Sequence, residues 1–182
     1  MSTPRLLIAY DGSPNAHSAM QTVAGLFPGA TAVLLYARQP MEGFAAHLEG
    51  HPALEQLQGL DAAALDVSER IASDGAQVAR DLGLVAEPHV SSTMATAAEA
   101  IVEAAEELDV DLIVLGSRGR RGLRATLLGS TSASVLHHAT RPTLVIPSDA
   151  VALARRTSRA AGSPAASDGR VPSEVRVASD AG

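Results

Sequence analysis

The chain has 182 residues with 46% hydrophobic content, enough for one domain with a sizeable core and a tail. It contains no cysteine, and its 14 basic residues are all arginine; this excludes disulfides, thiol chemistry and any Walker A, Schiff-base or kinase-type lysine. A net charge of −6 with two Tyr, two Phe and no Trp works against a polyanion-binding face with stacking rings, so nucleic acid is not an expected partner.

The opening apolar run is too short for a signal peptide or a spanning helix, and no other stretch approaches membrane length. No membrane partner is expected, and the expected compartment is the cytoplasm.

Residues 6–10 form a continuous apolar run that reads as a strand buried on both faces. Ser13 followed by Pro14 is an N-cap and first-turn proline, after which Ala16, Ala19, Met20, Val23 and Ala24 share one helical face. Residues 31–37 are a second buried strand. Residues 39–59 fit neither period and hold Pro40, Gly43, Gly50 and Pro52, which predicts a long surface loop. A helix is expected over roughly 61–82, with Ala64, Val67, Ile71, Val78 and Leu82 inward and Gly83 ending it. Residues 87–92 are more polar and read as an edge strand. Thr96 with Glu99 forms a capping box for a third helix, which carries Ala97, Ile101, Ala104 and Leu108 inward. Residues 112–115 are the fourth strand. A helix from near Ser130 uses Val135, Leu136 and Ala139, and residues 143–146 are the last strand. This alternation implies a parallel sheet covered by helices on both faces. After Pro147 the composition turns to Ala, Ser, Arg, Gly and Asp, so residues 1–148 are expected as the domain and 149–182 as a disordered tail, with at most a helical turn at 151–155.

Ligands of such sheets bind beyond the carboxyl ends of the strands, where strand order reverses. Two strand ends here carry suggestive residues. The first runs into Asp11-Gly12-Ser13 and the fourth into Gly116-Ser117-Arg118-Gly119. Gly116 and Gly119 allow a backbone to approach a phosphate with no Cβ in the way. Gly129, Ser130 and Thr131 open the next helix, whose leading N–H groups favour an anion. The dinucleotide fingerprint G-x-G-x-x-G is absent after the first strand.

The spacing Gly116-x2-Gly119-x9-Gly129-Ser130 resembles the nucleotide-binding motif of the universal stress protein family, as do the opening Tyr10–Ser13 segment and the closing TLVIP. The resemblance covers about residues 5–147. It implies a doubly wound, Rossmann-like α/β fold of the adenine nucleotide alpha hydrolase-like type, with a five-stranded parallel sheet in the order 3-2-1-4-5. It also implies ATP as ligand. Asp11 would lie near ribose and phosphates, as a metal ligand if Mg2+ bridges, and Ala37 would offer backbone groups to adenine. Gly116, Gly119, Gly129 and Ser130 would hold ribose and phosphates. Ala9, Tyr10 and Leu115, at the same strand ends, together with Arg120, Thr131 and Ser132, complete the expected site. A homodimer through the last strand, Thr143, Leu144, Val145 and Ile146, is implied in the same way.

Other residues have plainer readings. Asp11 could also brace a loop, but Ser13 is the better cap, which frees Asp11 for a ligand. Arg118, Arg120, Arg121 and Arg124 cluster beside the expected phosphate site, and composition does not choose which reaches it. His137 and His138 are adjacent on a helix and read as structural; His47 and His51 would suit a metal only if helical. Asp109 and Asp111 read as loop solvation, and Glu103, Glu106 and Glu107 as a wet helix face. The expected function is a regulatory, stress-response nucleotide binder. The alternative, a slow ATPase or nucleotidyl transferase, requires a placed base or transition-state cation for which Asp11 and the arginines are the candidates.

Overall fold

The computed structural model describes residues 3–41, 51–118, 128–148, 151–153 and 156–157. The elements run β1 (Arg5–Ala9), α1 (Pro14–Leu26), β2 (Thr31–Arg38), α2 (Ala53–Asp81), β3 (Val85–Ser92), α3 (Ala97–Glu107), β4 (Leu112–Gly116), α4 (Ser130–His138) and β5 (Thr143–Ile146). All strand pairs are parallel, in the order β3-β2-β1-β4-β5. Leu6 therefore sits between Ala32 of β2 and Leu112 of β4, and the order reverses at the β1–β4 boundary. β3, the polar strand, is one edge, and β5 is the other.

The continuous apolar strands are explained by helices on both faces. Leu6, Ile8, Leu34 and Val114 pack with Ala19, Met20, Val23, Ala76 and Ala79 of α1 and α2. Leu7, Leu35, Ile113 and Leu115 pack with Ile101, Ala104, Ala105 and Val135 of α3 and α4. Each fully buried Leu or Ile contributes about 1.5–3 kcal/mol, so the two cores fix the register as well as the layers.

α1 follows the sequence pattern closely: Ser13 caps it, and all five expected residues are buried. α2 does not. It starts at Ala53, so 53–59, expected as loop, is helical. Pro52 holds the N-cap position, where a missing N–H costs nothing, and Gly59 lies on the exposed side and weakens the helix without ending it. The buried face is also different. Asp61, Ser68, Ala72, Gly75, Ala76 and Ala79 face the sheet, whereas Val67 is 52% exposed, Leu82 is exposed, and Ile71 and Val78 lie at the margin of the core. Close approach to the sheet admits small side chains, and size was the wrong guide. In α3 the capping box forms as expected and Ile101 and Ala104 are buried as expected, but Ala98, Ala100 and Ala105 are buried as well, while Ala97 is exposed and Leu108 partly buried. In α4 Leu136 is exposed and Val135 buried.

Carboxylates that read as solvated turn out to be joints. Asp111 accepts the Arg5 backbone N–H at 2.7 Å. Arg141, just before β5, donates to Glu106 at 3.2 Å, Asp109 at 2.9 Å and the Val110 carbonyl at 3.2 Å, tying β5 to the α3–β4 turn. Asp61 pairs with Arg38 at the end of β2 and accepts the Met41 N–H at 2.7 Å, anchoring the N-terminal third of α2 to the chain leaving the sheet. After β5 a helical turn at 151–153, within the stretch where at most a helical turn is expected, buries Val151, and Ser148 caps it. The remainder of the expected tail, apart from 156–157, lies outside the described residues. No helix among the described residues is long and apolar enough to cross a membrane.

Candidate nucleotide site

A cleft enclosing about 170 Å³ opens over the carboxyl ends of β1, β2 and β4, at the reversal of strand order. One wall is apolar. Ala9, Leu35 and Leu115 supply it from the strands, and Ala97 and Ile101 from α3. The other side is polar, with Asp11, Arg118, Thr131 and Ser132.

The β1 end is built by a tight turn. Gly12 adopts φ +76°, a conformation that disfavours a side chain. Asp11 Oδ1 accepts the Ser13 N–H at 2.9 Å, and Ser13 Oγ accepts the Ala16 N–H at 3.2 Å. The freedom expected for Asp11 is thus reduced, because one carboxylate oxygen holds the turn that starts α1. Tyr10 donates its N–H to the Leu35 carbonyl at 2.9 Å, and its buried ring lies against Gly75 of α2. Burial first, then the carboxylates of Asp11 and Asp74, pushes the Tyr10 hydroxyl pKa up, which keeps the phenol neutral.

The β4 end is held more tightly still. A Cβ on Gly116 would stand 3.0 Å from the Asn15 carbonyl oxygen and 3.2 Å from that of Arg118, so a side chain here would crowd the crossing of α1 over β4, independently of any ligand. Ser117 joins three elements. Its N–H donates to the Ile146 carbonyl at 2.7 Å, its carbonyl accepts the Gly129 N–H at 2.8 Å, and its Oγ accepts the Ser148 N–H at 3.1 Å. Ser132 Oγ donates to the Gly116 carbonyl at 2.8 Å, which spends the proton of that buried hydroxyl on the fold. α4 begins at Gly129 without a side-chain cap, as a helix opening toward an anion does.

Of the expected site, Ala9, Tyr10, Asp11, Ala37, Leu115, Gly116, Thr131 and Ser132 line the cleft together. Gly129 and Ser130 stand at the start of α4 but are not among the lining residues. Gly119 and Arg120, with Arg121, Arg124 and His47, lie outside the described residues. The sequence pattern missed Ala16, Leu35, Tyr36, Ala97 and Ile101 as lining residues; an apolar wall position carries the same signal as a core position. Among the described residues no three His, Asp or Glu side chains group to hold a metal. His51 Nδ1 accepts the Ala53 N–H, and His138 places Nδ1 2.8 Å from the Ser134 carbonyl at the far end of α4.

The universal stress protein family model matches residues 3–147. Universal stress protein MJ0531 of Methanocaldococcus jannaschii is 34% identical over 85 residues, which covers 44% of this chain and only half of that relative's length. A Thermus aquaticus universal stress protein, from the QAH/OAS sulfhydrylase 3′ region, is 30% identical over 145 residues, 78% of this chain and 96% of its own. Among solved structures, the hypothetical protein MJ0577 superposes with a TM-score of 0.65 at 21% identity, over 81% of this chain and 97% of that one. The Archaeoglobus fulgidus universal stress protein in complex with dAMP gives 0.53 at 20% identity, over 80% and 98%. A universal stress protein in complex with cAMP gives 0.53 at 21%, over 81% and 98%. An Arabidopsis thaliana family protein with AMP bound gives 0.50 at 14%, over 81% and 97%. With the family model spanning most of its length and the strand order in agreement, this chain belongs to the universal stress protein family.

Proposed function

We propose that this protein is an adenine-nucleotide binder that holds ATP at the β1–β4 strand ends and acts by regulation, with binding changing its interactions. The observation that carries this reading is one cleft with two chemistries: an apolar wall from β2 and α3 beside the first turn of α4, which has no side-chain cap. Relatives solved with dAMP, cAMP and AMP support the adenine and phosphate parts. Asp11 lines the cleft and is the residue that would meet Mg2+ carried by a triphosphate. Among the described residues β5 pairs only with β4, and it is half-buried at all four positions, which suits pairing with a second copy through Thr143, Leu144, Val145 and Ile146.

The test is calorimetry of the full chain with ATP and Mg2+ at millimolar concentration, alongside mass spectrometry of any nucleotide released when purified protein is denatured. Heat of association or a retained nucleotide is expected. A folded sample giving neither refutes the reading. Asp11→Ala is expected to weaken ATP binding, and unchanged affinity removes Asp11 from the site.

A further inference from the structure

We propose that Arg118 makes this cleft selective for a phosphorylated ligand over the corresponding nucleoside, its guanidinium receiving the phosphate. The inference rests on the nucleotide reading above and adds to it a named residue and a charge requirement.

Arg118 lines the cleft, and its Nε and Nη2 are both withdrawn from solvent with no hydrogen-bond partner. Buried donors without partners are rare in native proteins, and a permanently charged one calls for an explanation. These two nitrogens share one edge of the guanidinium, the edge that grips two oxygens of a phosphate side-on. Arg5 makes the contrast. Its Nε is also unpartnered, but its Nη2 pairs with Glu87 at 3.1 Å at the other end of the sheet. Arg38 and Arg141 are likewise paired with carboxylates. Among the described residues Arg118 makes no such ion pair.

The backbone that carries Arg118 is fixed. Ser117, one residue before, is bonded through its N–H, carbonyl and hydroxyl to β5, α4 and the turn at Ser148. A Cβ on Gly129 would lie 3.5 Å from the Arg118 Cα, so the Arg118 backbone packs against the start of α4, and Arg118 lines the cleft together with Thr131 and Ser132 of its first turn. An anion there meets a side-on arginine fork and the positive end of a helix together.

The test compares adenosine, AMP and orthophosphate by calorimetry on the full chain, in wild type, R118M and R118K. Wild type is expected to prefer AMP to adenosine by about 10- to 100-fold, the range for charge-assisted hydrogen bonds. R118M is expected to erase that preference by weakening AMP while adenosine is unchanged. R118K, which keeps the charge and loses the fork, is expected to recover part of it, and detectable orthophosphate binding to wild type alone would add support. Melting without ligand separates a ligand-binding arginine from a structural one. Removing unpartnered desolvated nitrogens leaves R118M melting at or above wild type, whereas loss of a structural arginine lowers it. R118M binding AMP as tightly as wild type overturns the inference, as does a lowered melting temperature with equal losses for AMP and adenosine. Equal adenosine and AMP binding by wild type overturns it while leaving an adenine pocket in place. Wild type binding neither overturns both this inference and the nucleotide reading.

Discussion

Two glycines in one helix provide a matched test of how α2 meets the sheet. An ideal Cβ on Gly75 would lie 2.5 Å from Tyr10 Cδ1 and 2.6 Å from Cε1, while one on Gly59 meets nothing within 4 Å. Both substitutions to Ala gain the same helix propensity, about 1 kcal/mol. In Gly59→Ala that gain stands alone, and stabilisation of about 1 kcal/mol is expected, or about 2–4 °C in Tm for a chain of this size. In Gly75→Ala the methyl overlaps a buried ring that has α1, α2 and β1 around it, and overpacking costs about 1–3 kcal/mol. The overlap is severe, so the upper part of that range applies and a net loss of about 1–2 kcal/mol is expected. The shared propensity cancels in the difference between the two variants, leaving the ring contact alone. Urea denaturation of both, with unchanged slopes, measures it. If Gly75→Ala is stabilised as much as Gly59→Ala, the ring does not pack where the structure puts it. Because Tyr10 lines the cleft, weaker nucleotide binding is expected to accompany the loss in Gly75→Ala and not in Gly59→Ala.

Gly116→Ala is expected to cost about 1–3 kcal/mol in denaturant stability even without nucleotide, because both crowded partners are backbone carbonyls that cannot swing aside; wild-type stability in the variant would show that the glycine serves only a ligand. The Asp61 carboxyl is held below the usual aspartate range by the Met41 N–H and then by Arg38, against burial that raises it. Its folded pKa is depressed, so its contribution is full above the ordinary aspartate value of about 3.9 and is lost as pH falls through the lower folded value. The stability gap between wild type and Asp61→Asn is therefore expected to be flat from neutral pH to about 5 and to close below about 4; a gap that widens on acidification contradicts the assignment. Thr96→Ala removes the hydroxyl that accepts the Glu99 N–H and is expected to cost about 1 kcal/mol, read by thermal or urea unfolding.

Much of the site was legible because glycine, proline and hydroxyl residues act locally. The Ser13–Pro14 start of α1 and the Thr96–Glu99 box depend on residues within a turn of one another, and both form as their spacing predicts. Asp11 and Gly116, which line the cleft, were legible in the same way, since they stand at strand ends that the apolar runs already mark. The apolar wall was not, because Ala97 and Ile101 differ from core residues only in what lies opposite them. The second role of Gly116 was hidden for a similar reason: Asn15, a hundred residues earlier, is what crowds it.

By itself the sequence determined the α/β alternation, the five strands and the two glycine-bearing ends, since these follow from periodicity and from backbone freedom over a few residues. Tertiary structure decided which face of α2 is buried, which carboxylates become joints, and that Arg118 enters the cleft with two nitrogens unpaired. Those outcomes depend on distances between segments far apart in the chain. A helix with small residues on one side and large ones on another has no preferred face until a sheet, and here a tyrosine ring, is set against it.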